Sequence, residues 1–375
     1  MARRSRNLPR RASVVGAGSF GTAVAVLLER AGMRTTLLCR TAEQAREMER
    51  SRENARYLPG VRLPDRLKVR ALAGRDDQFH RADLVFVAVP SAGIGTAIAE
   101  LERQGVAGHA GVVSLAKGLV PPDGTPPTEA LDRAFGPERV ACVGGPAHAR
   151  EMVEDGAGLI CASQPPLLAE TVAGVLRRAG VVCAVSSDPV GVELAGCAKN
   201  AAALAAGATE PLGLNAAGMA ASDIFGEVLA LAVARGGRAR TFLGRAGVGD
   251  LVATALAPTS RNRSAGELLA QGVPGAEIPD RLGQAVEALE TVPLLARAIE
   301  SAGISAPITA ALARLIEGSM PLEDWVGLVR AAEPAPARPE RGTRGWWRRL
   351  RARLRSWLRP SRARTRGADG LDAAN

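Results

Sequence analysis

"ASVVGAGSFGTAVAVLLERAG", residues 12–32, is an apolar run that breaks at three glycines and resumes as a helical pattern. A strand that enters Gly16-x-Gly18-x-x-Gly21 and leaves as a helix forms the turn that holds a dinucleotide. The first glycine permits the tight turn, the second lets the backbone approach a pyrophosphate, and the third lets helix and strand pack closely. The phosphates then face free N–H groups at the helix N-terminus. Glycine patterns arise by chance in flexible loops, but strand, turn and helix in this order near the start of the chain make the motif specific.

Working outward, residues 12–187 alternate short apolar runs with helical patterns. The runs are "ASVVG" (12–16), "TTLLCR" (35–40), "LVFVAVP" (84–90), "GVVSLAK" (111–117), "VACVGG" (140–145), "GLICAS" (158–163) and "VVCAVS" (181–186). Candidate helices include 19–31 and 165–178. This is the pattern of βα units around a parallel sheet. About twenty residues past the glycine turn, folds that prefer NAD carry an acid for the ribose hydroxyls. Here Arg40 ends the second run and Thr41 follows. A guanidinium there suits a 2′-phosphate, which favours NADP over NAD; in a chain this rich in Arg, an exposed position filled by composition is the competing reading.

The pattern changes at Asp188-Pro189, a helix cap followed by a first-turn residue. A long Ala-rich helix is expected over about 190–206, then helices and loops to about 332 with no convincing strand. The fold class is therefore an α/β Rossmann-type, doubly wound domain over 1–187 followed by an all-α domain over 188–332. "EPAPARPERG" then marks a linker, and 333–375 form a basic tail.

The chain of 375 residues suits two domains. Its net charge of +10 is a property of the tail: residues 334–375 hold twelve Arg against Glu340, Asp369 and Asp372, leaving 36 basic and 35 acidic residues elsewhere. A nearly neutral body argues against nucleic acid as its ligand. Five cysteines (39, 142, 161, 183, 197) sit in apolar runs without metal-like spacing, and read as small core residues in a reducing compartment. Aromatics are only 3%, so close helix packing on Ala, Val and Leu is expected. The start "MARRSRNLPRR" with its apolar sequel mimics an export signal, but the sequel holds the whole nucleotide turn, so a cytoplasmic enzyme is expected. No uninterrupted span reads as long and apolar enough to cross a bilayer.

Lysine is the rare cation: three Lys against 45 Arg. An ammonium can lose and regain a proton where a guanidinium cannot, so a retained Lys is informative. Lys68 lies in a plain, surface-like stretch. Lys117 in "VVSLAKGL" falls at the carboxyl edge of the sheet, where ligands bind in open α/β folds. Lys199 in "GVELAGCAKNAAALAAGA" sits where a charge is costly without a partner or a task. Snorkelling from a helix face is the alternative for a lone Lys.

Several blocks now coincide: "GAGSFGTAVA" (16–25), "AKGL" (116–119), "GGP" (144–146), "KN" (199–200), "GVGDLVAT" (247–254), "SRNR" (260–263) and "GQAVE" (283–287). Over roughly 12–330 the chain resembles the bacterial-type NAD(P)-dependent sn-glycerol-3-phosphate dehydrogenases, with the blocks in family order. The resemblance implies reduction of dihydroxyacetone phosphate to sn-glycerol 3-phosphate, supplying glycerophospholipid synthesis. It implies Lys199 as proton donor, Asp250 as the group that orients it, and Lys117 as stabiliser of charge on substrate oxygens. The substrate pocket implied is Lys117, Gly145, Ala147, Lys199, Asp250, Ser260, Arg261 and Asn262, with Arg261 and Asn262 gripping the phosphate. The dinucleotide is implied to meet Gly16, Gly18, Ser19, Phe20, Gly21, Arg40, Lys117, Ala149, Arg261, Ala285 and Glu287. No metal is implied, and a homodimer is.

Two stretches depart from the family pattern. Ala147-His148 stand where it has Thr and usually Phe, which removes a hydroxyl, and His148 is expected to be exposed. Ser222-Asp223 stand where Thr-Arg falls. A related two-domain dehydrogenase for another small oxo-acid or phosphorylated ketone is therefore the alternative enzyme. From a different class comes a degenerate dinucleotide-binding protein tethered at membranes. The tether would be "WWRRLRARLRSWLR", within residues 344–359: on a helical wheel Trp346, Trp347, Leu350, Leu354, Trp357 and Leu358 share an arc of about 120° with Arg elsewhere. Such a helix suits the anionic inner face of a membrane; an acidic partner, or a tail that touches nothing, are the other readings.

Overall fold

The computed structural model describes residues 8–73, 78–257 and 260–332. Ten strands occur among them: β1 Arg11–Val15, β2 Arg34–Cys39, β3 Glu53–Asn54, β4 Leu58–Arg62, β5 Lys68–Ala71, β6 Leu84–Val87, β7 Gly111–Ser114, β8 Val140–Gly144, β9 Gly158–Ala162 and β10 Val182–Ser186. Eight make one sheet in the order β10-β9-β8-β7-β6-β1-β2-β5, and β3 and β4 pair separately. From β5 to β8 every pairing is parallel. The chain order along that part of the sheet is the doubly wound one, with the switch in direction between β1 and β6, where such folds hold dinucleotides.

The sheet is not parallel throughout, as the sequence pattern suggested. β9 runs antiparallel to β8, and β10 is parallel to β9. The chain between Gly144 and Gly158 holds only the short helix Ala149–Glu154, and β9 returns beside β8 in the opposite direction, pairing over Cys142–Gly144. β5 is a strand the sequence reading passed over. It is an edge strand with Lys68 and Arg70 exposed, and charge on an edge blunts pairing with other chains while hiding the apolar alternation.

At the end of β1 the backbone turns through Gly16 at φ +110°, where a Cβ would meet the Ala88 carbonyl oxygen at 2.5 Å. A Cβ on Gly21 would lie 2.0 Å from the Gly16 oxygen, so helix Ser19–Arg30 and β1 approach at backbone contact. Gly18 has nothing within 4 Å of its Cβ position, and the helix it opens has no side-chain cap. That leaves a cradle of free N–H groups that a pyrophosphate fits.

The helical part begins where Asp188 and Pro189 indicated. The Asp188 carboxylate accepts from the Gly191 N–H at 2.8 Å and caps helix Pro189–Thr209. From Gly191 to Thr209 only Lys199 and Ala206 are not fully buried, the mark of a central core helix. Small residues set its packing: a Cβ on Gly207 would lie 2.1 Å from the Arg263 carbonyl oxygen, and one on Gly266 2.0 Å from that of Leu204. Helix Arg261–Ala270 thus rests on it without intervening side chains. Among the described residues no strand follows Ser186. The apolar core around this helix includes Cys142 and Ala162 of the sheet, and the described residues form one compact unit. All five cysteines are free and buried.

Glu193 faces the same core at 3% exposure and receives the Thr128 N–H at 2.9 Å. Burial pushes its carboxyl up to about 8, so it is protonated at neutral pH.

Helix Leu214–Ala234 corrects one expectation, since by length and composition it is long and apolar enough to cross a membrane. Ala220, Ile224, Val228 and Leu231 are fully buried in the protein core. On the same helix, Glu227 accepts hydrogen bonds from Ile308 and Thr309. The amphipathic stretch at 344–359 lies outside the described residues.

Candidate active site

Lys117 stands three residues beyond β7, just past the strand rather than at its last position. Lys199 comes from the middle of helix Pro189–Thr209, and Asp250 opens helix Asp250–Leu256 after a π-helical turn, Arg245–Gly249. These separate elements bring three charges together. The Lys117 ammonium donates to one Asp250 oxygen at 2.6 Å and to the Gly145 carbonyl at 3.0 Å. Lys199 Nζ lies 3.5 Å from the other Asp250 oxygen and donates to Thr254 Oγ1 at 3.1 Å. Gly145 presents that carbonyl from a backbone at φ +103° that disfavours other residues.

Burial and charge act in opposite directions here. Burial lowers the Lys199 pKa from 10.5 and the Lys117 charge lowers it further, while Asp250 restores only part. Burial also works to raise the Asp250 pKa, but two ammonium groups outweigh it and hold the carboxyl below 3.8. At neutral pH Asp250 is an anion that keeps two cations beside it, one of them poised to release its proton.

A second network supports the first. Asn200 donates to the Lys117 carbonyl oxygen at 3.1 Å and to Glu287 at 2.9 Å. Asn262 donates to Asn200 Oδ1 at 2.8 Å, and its own oxygen accepts from the Ala288 N–H at 3.1 Å. Asn262 is thus tied to Asn200 instead of standing free beside Arg261. Ser260 caps helix Arg261–Ala270, and exposed Arg261 donates to the Ala285 carbonyl at 3.2 Å.

The dinucleotide turn meets this cluster through Phe20, whose ring centroid is 6.0 Å from Lys117 Nζ. Ser19 Oγ donates to the Tyr57 carbonyl. Arg40 is exposed directly after β2, and Ala147 and Ala149 are half-buried after β8. His148 is half-buried instead of exposed: its Nε2 lies 3.4 Å from the Ala253 carbonyl oxygen, on the helix that Asp250 opens.

Two family models match the chain, the N-terminus of NAD-dependent glycerol-3-phosphate dehydrogenase over residues 11–167 and its C-terminus over 188–327. A glycerol-3-phosphate dehydrogenase [NAD(P)+] of Parafrankia sp. is 38% identical over 334 residues, covering 87% of this chain and 98% of that protein. The chain belongs to the NAD-dependent glycerol-3-phosphate dehydrogenase family. The relative of the same name in Frankia casuarinae is 36% identical over 333 residues, 87% of this chain and 98% of the other. The crystal structure of glycerol-3-phosphate dehydrogenase from Coxiella burnetii superposes with a TM-score of 0.79 at 27% identity, over 86% of this chain and 99% of that one. Against this family background Thr254 is the residue the sequence reading missed. It lies one helical turn from Asp250, on the same face, and that spacing was the available signal.

Proposed function

We propose that the chain reduces dihydroxyacetone phosphate to sn-glycerol 3-phosphate with NADPH or NADH, and runs the reverse oxidation on the same groups. The observation that carries the reading is Asp250 held between two ammonium groups, at 2.6 and 3.5 Å, with the Lys117 ammonium also 6.0 Å from the Phe20 ring on a turn shaped for a dinucleotide. A bound reduced nicotinamide supplies hydride to the carbonyl carbon, which leaves negative charge on the carbonyl oxygen. Lys199 gives that oxygen its proton, and its lowered pKa eases the transfer. Lys117 stays charged and stabilises the growing negative charge. Asp250 and Thr254 fix where the Lys199 proton points. Exposed Arg261 offers paired donors to the substrate phosphate, while Asn262 and Asn200 hold the Lys117 loop and Glu287 in register.

Assay of the full chain with dihydroxyacetone phosphate is expected to show NADPH oxidation faster than NADH oxidation. Arg40→Asp then reverses that preference, because a carboxylate repels a 2′-phosphate and accepts from ribose hydroxyls. Absence of turnover with either dinucleotide would end the reading. A second reading, reduction of another phosphorylated ketone or small oxo-acid, rests on Ala147 and on His148 turned to the Ala253 carbonyl. Greater kcat/KM for such a substrate than for dihydroxyacetone phosphate decides for it.

Two further parts belong to the proposal. The chain forms a homodimer, supported by the exposed Leu214, Met219 and Val233 on helix Leu214–Ala234; a monomer mass in sedimentation would overturn this. Residues 344–359 bind anionic membrane surfaces, a reading supported by the spacing of Trp and Leu among Arg in the sequence. Equal partitioning of the full chain and of a chain ending at 333 onto anionic vesicles would overturn that.

A further inference from the structure

We propose that the cavity between the β9–β10 edge of the sheet and the segment Arg238–Arg245 binds a small phosphorylated anion, at a site separate from the catalytic cluster and joined to it through the turn Arg245–Gly249. The cavity is about 500 Å³, within the size range of small-molecule sites. Arg238, Arg240 and Arg245 line it, together with Ser186, Ser187 and Thr241. Lys117, Lys199 and Asp250 do not.

Three guanidinium groups face one concavity here, and among the described residues no carboxylate lines it. Elsewhere Arg133, Arg150, Arg177 and Arg281 each meet a carboxylate, while among the described residues exposed Arg297 and Arg314 make no ion pair and line no such concavity. Among the described residues, none of the three cavity arginines makes an ion pair. The nearby carboxylate, Asp188, is 4% exposed and already accepts from the Gly191 N–H, the Arg238 N–H and the Thr241 hydroxyl. Those bonds spend its accepting capacity on the backbone and fix the segment that carries Arg238 and Arg240. Ser186 Oγ accepts from the Asp188 N–H at 3.1 Å, which leaves the Ser186 hydroxyl proton for a ligand. Three unpaired guanidinium groups around a concavity focus a positive field, and their planar forks match phosphate oxygens.

The link to the catalytic cluster is covalent and short. Arg245 is the first residue of the π-helical turn that ends at Gly249, and Asp250 follows. Such turns are concentrated at functional sites because they strain the helical ladder. An anion that draws the Arg245 side chain into the cavity acts on the start of the turn that delivers Asp250.

The test uses inorganic pyrophosphate and the full chain carrying Arg261→Ala, which removes the donors proposed for the substrate phosphate. Calorimetric titration at low salt, with NADPH saturating so that the Gly16–Gly21 cradle is filled, is expected to find one saturable site per chain. Adding Arg238→Ser and Arg240→Ser weakens it at least tenfold, whereas Arg297→Ser with Arg314→Ser, two exposed arginines elsewhere, leaves it unchanged. No saturable site, or equal weakening in both pairs, overturns the proposal. The link to catalysis rests on the reductase reading, and binding is measured without turnover so that the two failures are told apart. With Arg261 intact and substrate saturating, pyrophosphate changes kcat in the wild-type chain and not in Arg238→Ser/Arg240→Ser. The same response in both, or none in either, refutes the link.

Discussion

Lys199→Ala is expected to lower kcat for reduction by about a thousandfold while dinucleotide affinity, read by NADPH fluorescence, stays near wild type. The contrast follows from position. Lys199 projects from the core helix onto Asp250 and Thr254, and the cluster's contact with the dinucleotide turn runs through Lys117 and Phe20. Lys199→Arg fails as well, because a guanidinium keeps its charge but cannot release a proton at these pH values. The pH profile adds a signature that lost packing would not give. Burial lowers the folded-state pKa of Lys199, so the protonated donor disappears at a pH below 10.5. Reduction therefore declines as pH rises through that lowered value, and the reverse oxidation, which needs the neutral amine as base, rises over the same interval. Unimpaired turnover in Lys199→Ala, or rates in both directions moving the same way with pH, would rule out this donor.

Much of this site was legible because the sequence is so poor in Lys. With 45 Arg available, a Lys in an apolar helix and another past an apolar strand stood out as groups chosen for their proton. The glycine turn was legible for a related reason, since backbone contact at 2.0 Å admits no other residue at Gly21. Features set by three-dimensional neighbours were not legible. The reversal of β9 is a matter of pairing direction, which an apolar run does not report. His148 is drawn inward by a carbonyl on another helix. Asn262 reads only as a phosphate ligand beside Arg261, whereas its bonds to Asn200 and the Ala288 N–H, which leave one amide hydrogen for a ligand, are set by other elements. The cavity arginines were hidden in a composition that puts Arg everywhere, and only their placement around one concavity that no carboxylate lines distinguishes them.

Asp250→Asn is expected to reduce both stability and turnover, and for one cause. The carboxylate is 3% exposed and is the shared counter-ion of Lys117 and Lys199. An amide of the same shape leaves two ammonium groups facing each other in a buried site. Removing one partner from a buried charge cluster costs about 3–5 kcal/mol, unless one lysine gives up its proton. Lys199 is the one to yield, because burial and the Lys117 charge already lower its pKa. The donor is then neutral near pH 7, kcat for reduction falls by roughly a hundredfold to a thousandfold, and the alkaline limb of its pH profile moves to lower pH. The urea midpoint falls more at acid pH, where both lysines are forced to be charged. Asp250→Asn combined with Lys117→Met removes the like-charge clash, so stability returns towards wild type while turnover does not. If that double variant is no more stable than Asp250→Asn alone, charge balance is not what Asp250 contributes, and its role reduces to that of an acid in the first turn of its helix.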